Sequence, residues 1–258
     1  MDITRHTPGS FCWFELATSD QPGAKQFYSS LFGWNPADSP MGPDEVYTIM
    51  KLNDRDVAAA YTLRADQKSQ GVPPNWLVYI SVDDAEAMTS KAASLGATIL
   101  MQPFDVMDFG RMAVISDPQG AVFALWQPKT HAGTGITGVN TVTWADLNTT
   151  DQAAAGKFYS SLFGWKMLGD GLGEPKPGQY FHIMNGEKMI GGVSPHLPPG
   201  SPPNWMIYVG VQDCKATVSK ARSLGANTYV DTMPIGESGL MAVLADPQGA
   251  VFALHQSK

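Results

Sequence analysis

Two carboxylates occupy the places where this sequence could do chemistry. Glu15 and Asp146 each follow a tryptophan at a spacing of two, in Trp13-Phe14-Glu15 and Trp144-Ala145-Asp146. In an extended chain such pairs share a face, so each acid emerges beside an indole. A carboxyl group surrounded by aromatic rings is desolvated, which disfavours its charge and raises its pKa. That group can serve as a general acid or base, or hold a cationic or hydroxyl-bearing ligand. The plainer alternative is an acid hydrogen-bonded across its own concavity or solvated at its mouth. Both readings stand at this point.

Alternation along other apolar stretches supplies companions for the two acids. Trp76, Val78, Ile80 and Val82 read as one buried strand face, leaving Leu77, Tyr79 and Ser81 on the other. The same pattern puts Tyr208 opposite Trp205, Ile207 and Val209. On later strands, Ala124 and Trp126 share a face, as do Ala253 and His255. Trp13, Trp126 and Trp144 offer flat stacking area, and Tyr79 and Tyr208 offer hydroxyls, although all five also suit a packed interior. Asp146 and His255, joined by His182 on a neighbouring strand, suggest a secondary possibility, a divalent metal held by those three.

The elements that must position these groups come in duplicate. Phe27 to Trp34 reads FYSSLFGW, as does Phe158 to Trp165, and Asp117 to Leu125 reads DPQGAVFAL, as does Asp246 to Leu254. PPNW and SLGA also recur in the same order, so the chain is an internal duplication. The spacing between matched motifs changes, placing a small insertion after the first helix of copy two and a small deletion between Gly192 and Asn204. Each copy reads as strand, helix and strands, twice over. Asp20 or Ser19 caps a helix whose Ala24, Phe27, Tyr28, Leu31 and Phe32 form one apolar stripe ending at Gly33. The expected domains are residues 8–127 and 139–257, with a polar linker at 128–138. The unlike segments Pro103 to Gly110 and Met233 to Gly239 are candidate lids.

Bulk properties narrow the function classes. A net charge of −7, a pI near 5.1 and no basic run argue against a nucleic-acid partner. No stretch is apolar enough for a membrane span, and Cys12 and Cys214 form neither a disulfide framework nor a zinc spacing. A soluble cytoplasmic protein is the expectation.

The stretch SDQPGAKQFYSSLFGW, with SLGA and DPQGAVFAL, resembles the vicinal oxygen chelate superfamily of glyoxalases, bleomycin resistance proteins and extradiol dioxygenases. The resemblance covers nearly the whole chain, twice, and is strongest to tandem actinobacterial members labelled hydroxylase or glyoxalase-like. It implies an α+β fold of two tandem glyoxalase-like domains, each with two βαβββ modules making a concave mixed sheet with helices outside. Metal-dependent members carry ligands where this chain has Trp13, Leu77 and Ala124, and again Trp144, Met206 and Ala253. None of these six offers an imidazole or a carboxylate. The reading is therefore a protein that binds a hydrophobic or aromatic small molecule without a cofactor. Its site residues would be Trp13, Glu15, Tyr79, Trp126, Trp144, Asp146, Tyr208 and His255. An enzyme of the same superfamily using Glu15, Asp146 or the displaced metal, and a protein-interaction module, are the alternatives. The partners expected are a small-molecule ligand and, within the chain, the other copy of a pseudo-dimer, in a monomer or homodimer.

Overall fold

The computed structural model describes residues 2–42, 45–176, 178–198 and 200–258. Copy one contains, in chain order, β1 (Phe11–Thr18), α1 (Gln21–Phe32), β2 (Asn35–Pro40), β3 (Val46–Leu52) and β4 (Arg55–Thr62). There follow α2 (Ala65–Ser69), β5 (Asn75–Ser81), α3 (Ala85–Ser94), β6 (Thr98–Val106), β7 (Gly110–Ser116) and β8 (Val122–Pro128). Copy two contains β9 (Val142–Asn148), α4 (Gln152–Phe163), β10 (Lys166–Leu168), β11 (Phe181–Asn185), β12 (Lys188–Ser194), β13 (Asn204–Gly210), α5 (Cys214–Ser223), β14 (Asn227–Pro234), β15 (Gly239–Ala245) and β16 (Val251–Ser257). The insertion of copy two holds a single 3-10 turn, Asp170–Leu172. Its deletion falls where copy one has α2.

Each copy makes one eight-stranded mixed sheet, ordered β2-β3-β4-β1-β5-β8-β7-β6 and β10-β11-β12-β9-β13-β16-β15-β14. The two modules of a copy join through an antiparallel central pair, β1 with β5 and β9 with β13. Asp20 does cap α1, its side chain accepting from the Gly23 amide, and Gly33 ends the helix at φ 75°. Asp151 and Gly164 do the same for α4. The edge strands β2 and β10 and the short helix α2 carry no sequence pattern that announces them. Most of β2 is exposed and polar. Of the two proposed lids, the first is mainly strand, with Pro103 to Val106 completing β6, whereas the second is mostly the turn between β14, which ends at Pro234, and β15.

The helix-facing sides of both sheets share one apolar core. Phe14, Leu16, Val78 and Ile80 lie in the same buried cluster as Ala145, Leu147, Ile207 and Val209. Packing across the copies is reciprocal. Phe252 of β16 meets Phe27, Tyr28 and Phe32 of α1, while Phe123 of β8 meets Tyr159 and Phe163 of α4. Tyr28 donates to Asp246 and Tyr159 to Asp117, each at 3.0 Å and buried. Each of these aspartates also accepts backbone amides of its own DPQG turn. The two most repeated motifs are thus repeated because each grips the other's counterpart.

The linker is not a free spacer. Thr134 donates its amide to Cys12, Gly135 to Asp56, and the Trp126 indole to the His131 carbonyl. Among the described residues no helix is long and apolar enough to cross a membrane.

Candidate functional site

Strand pairing places the two acids at equivalent points. Glu15 stands between Ala59 of β4 and Leu77 of β5, and Asp146 between Gly192 of β12 and Met206 of β13. Gly191–Gly192 therefore matches Ala58–Ala59. The face away from the shared core carries Trp13, Tyr79, Ala124 and Trp126 in copy one, joined by Tyr47, Ile49, Leu77 and Met112. In copy two it carries Tyr208, Val243 and Ala253, joined by Trp144, Met206, Val230 and Met241. The positions of the superfamily's metal ligands fall inside these clusters, which are apolar except for phenol and indole groups.

In copy one the carboxylate lies under phenols from neighbouring strands. Tyr79 donates to Glu15 at 2.8 Å, Tyr47 donates to the same group, and the Trp13 indole donates to Tyr47 at 3.1 Å. Burial pushes Glu15 above the usual carboxylate range, and the two phenols pull it partly back. Its negative charge in turn adds to the burial that drives the Tyr47 and Tyr79 phenols far above their ordinary value. The linker closes one end of this face. His131 stands edge-on against Trp13 at 4.7 Å and near Trp126 at 6.2 Å, with its Nε2 3.4 Å from Asp56. Trp13 and Trp126 are left 4% and 6% exposed.

Copy two has the same plan with shorter parts. Asp146 accepts from Tyr180 at 2.5 Å and from the Trp144 indole at 2.8 Å, and Tyr208 also donates to it. The Trp144 indole is shared with Tyr180 at 2.9 Å. Burial raises the Asp146 pKa, opposed by Tyr180, Tyr208 and Trp144, in that order, and more weakly by His182. Tyr180 reaches across β12 because Gly192 has no side chain. A Cβ there would lie 1.8 Å from the Tyr180 hydroxyl. Copy one has alanine at this floor position and a glutamate above it, so one carbon has moved from the floor to the acid.

Register separates the three groups considered for a displaced metal. His182 is level with Asp146, two strands away. His255 pairs with Gly210, four residues beyond Met206 on β13, or about 13 Å along the strand. Among the described residues no three His, Cys, Asp or Glu side chains gather to hold a metal ion. The tyrosines Tyr47 and Tyr180 escaped the sequence reading, although Tyr180 stands two residues before His182, which that reading had singled out. The role of His131 had no signal, because it is a tertiary contact from a linker.

Two modules joined edge to edge through a central antiparallel strand pair, in each of two copies, define a tandem glyoxalase-fold protein. Residues 10–125 and again 139–254 match the Glyoxalase/Bleomycin resistance protein/Dioxygenase superfamily, and the chain belongs to it. The chain is 37% identical over 254 residues to "Putative glyoxylase CFP32" of Mycobacterium bovis and Mycobacterium tuberculosis, covering 97% of this chain and 96% of that protein. It is 34% identical over 266 residues to "Anthracycline biosynthesis protein DnrV" of Streptomyces peucetius, covering 98% and 94%. Among solved structures, the Mn(II)-bound glyoxalase from Novosphingobium aromaticivorans superposes with a TM-score of 0.67 at 12% identity, covering 96% of this chain and 82% of that one. The 2,3-dioxygenase LapB from Pseudomonas sp. KL28 does so with 0.65 at 15%, covering 100% and 93%. At such identities the likeness is one of fold.

Proposed function

We propose that this protein binds a small, planar, largely apolar molecule on the concave face of a sheet, beside a carboxyl group and without a metal at the superfamily's usual place. The observation that carries this reading is the placement of Asp146, which is 4% exposed beneath Trp144, Tyr180 and Tyr208 on a face otherwise lined by Met206, Met241 and Val230. Apolar walls with a few convergent polar groups are what a small-ligand site requires. Side chains at the superfamily's ligand positions are indole, aliphatic or thioether groups, which do not fit a divalent cation. Two relatives carry names from anthracycline biosynthesis, and anthracyclines are planar fused-ring aromatics, a shape that suits this face. Thermal-shift screening of planar aromatics tests the reading. Stabilisation by at least one, weakened in Trp144→Ala and in Asp146→Asn, is expected. No stabilisation by any of them overturns it.

The raised pKa of Asp146 favours a second reading, in which it exchanges a proton with the bound molecule as a general acid or base. Mass spectrometry of ligand recovered from heavy water tests this, since exchange of a carbon-bound hydrogen should stop in Asp146→Asn.

A further inference from the structure

Shielded ring nitrogens without a hydrogen bond occur on both faces among the described residues: Nε2 of His131 in copy one, which has Asp56 at 3.4 Å as an ion-pair neighbour, and Nε2 of His255 and Nδ1 of His182 in copy two. In copy one Glu15 is held by Tyr79 and Tyr47, Tyr61 accepts from Gln67 at 2.9 Å, and the Trp126 indole donates to His131. The His131 ring then covers Trp13. In copy two Trp144, Asp146, Tyr180 and Tyr208 are likewise tied to one another, but the Nδ1 of His182 is shielded from solvent with no hydrogen-bond partner among the described residues. Copy one has Ile49 at the same register position, level with Ala59 and Glu15. His182 packs against Tyr180 at 5.1 Å and shares its face with Asp146. Trp144 stays half-buried where Trp13 is covered.

We infer that copy two holds the single ligand site of the chain, that the concavity of copy one is structural, and that His182 recognises a hydroxyl group on a planar aromatic ligand. This rests on the binding function proposed above and narrows it to one face and one chemical class. A neutral imidazole nitrogen can accept from a hydroxyl or donate to it, whereas isoleucine can do neither. The ring system would lie along Met206 and Met241, with its hydroxylated edge turned toward His182 and Tyr180.

Calorimetric titration with two soluble dyes tests the inference. Alizarin red S is a dihydroxylated anthraquinone sulfonate, and anthraquinone sulfonate has the same ring system without hydroxyls. Mildly acidic buffer keeps the phenols protonated, so that both dyes carry the sulfonate charge alone. Wild type should bind one alizarin red S per chain, more tightly than the unhydroxylated dye. His182→Ile, which installs the copy-one residue, should weaken alizarin red S about tenfold and leave the other dye within about twofold. His182→Asn, which keeps a hydrogen-bonding side chain, should recover part of the loss. Glu15→Gln should leave both affinities unchanged. Two sites per chain, equal loss of both dyes in His182→Ile, or loss confined to Glu15→Gln would overturn the inference while sparing the general binding function. If neither dye binds wild type, the inference falls, while the general binding function is decided separately by the wider thermal-shift screen.

Discussion

Replacing Gly192 with alanine tests the link between backbone and acid directly. The new Cβ would lie 1.8 Å from the Tyr180 hydroxyl and 2.1 Å from its Cζ. Ordinary contact needs at least 3.4 Å, so the phenol must withdraw by roughly 1.5 Å. Its hydrogen bond to Asp146, 2.5 Å in the native arrangement, then lengthens beyond useful range. Losing a bond to a charged group costs about 1.5–3 kcal/mol, and alanine in place of strand glycine returns about 0.5–1 kcal/mol. The net destabilisation is about 1–2 kcal/mol, or a fall in Tm of roughly 3–6 °C. Denaturant unfolding measures the energy, and carboxyl-carbon NMR should show Asp146 titrating higher than in wild type because a donor has gone. Adding Asp146→Glu to Gly192→Ala recreates the Glu15 and Ala59 pairing of copy one and should restore much of the stability. Unchanged stability and an unchanged Asp146 titration in the single variant would refute the reasoning.

Other consequences follow from the same contacts. Tyr28→Phe leaves buried Asp246 and the Trp76 indole each short of a partner, and should cost about 1.5–3 kcal/mol in urea unfolding. Tyr159→Phe should cost a similar amount through Asp117 and Trp205. The folded-state pKa of Asp146 is raised, so its contribution to stability is full below the ordinary aspartate value of about 3.9 and is lost as pH rises through the folded value. Asp146→Asn should therefore gain on wild type as pH increases from about 4 toward neutrality, and a parallel pair of unfolding curves would contradict that sign. His131→Ala should expose Trp13 and Trp126, detectable as stronger quenching of tryptophan fluorescence by acrylamide.

Much of this architecture was legible because duplication doubles every signal. The stripe of Ala24, Phe27, Tyr28, Leu31 and Phe32, its Asp20 cap and its Gly33 stop all state helix by local chemistry. Period-two alternation assigned the faces of β1, β5, β9 and β13 for the same reason. The edge strands β2 and β10 did not announce themselves, since β2 is mostly exposed and β10 spans only three residues. The separation of His255 from Asp146 was illegible too, because sharing a face says nothing about height along it. Strand register decides that, and register is set by partners far away in the chain. The contact of His131 with Trp13 belongs to the same class: a linker composition shows that a segment is polar, not where it folds back.

The central claim is that the concave face beside Asp146 receives a planar molecule while the shared core does not. The seven tryptophans divide cleanly for this purpose: Trp34, Trp76, Trp165 and Trp205 are core, Trp13 and Trp126 line the copy-one face, and half-buried Trp144 lines the face beside Asp146. Indole N–H signals in a nitrogen-15 NMR titration with a stabilising planar ligand report on all of them at once. The Trp144 signal should move in a saturable way while the four core signals hold still. A ligand that stabilises the protein but shifts a core indole and leaves Trp144 unmoved would contradict the claim.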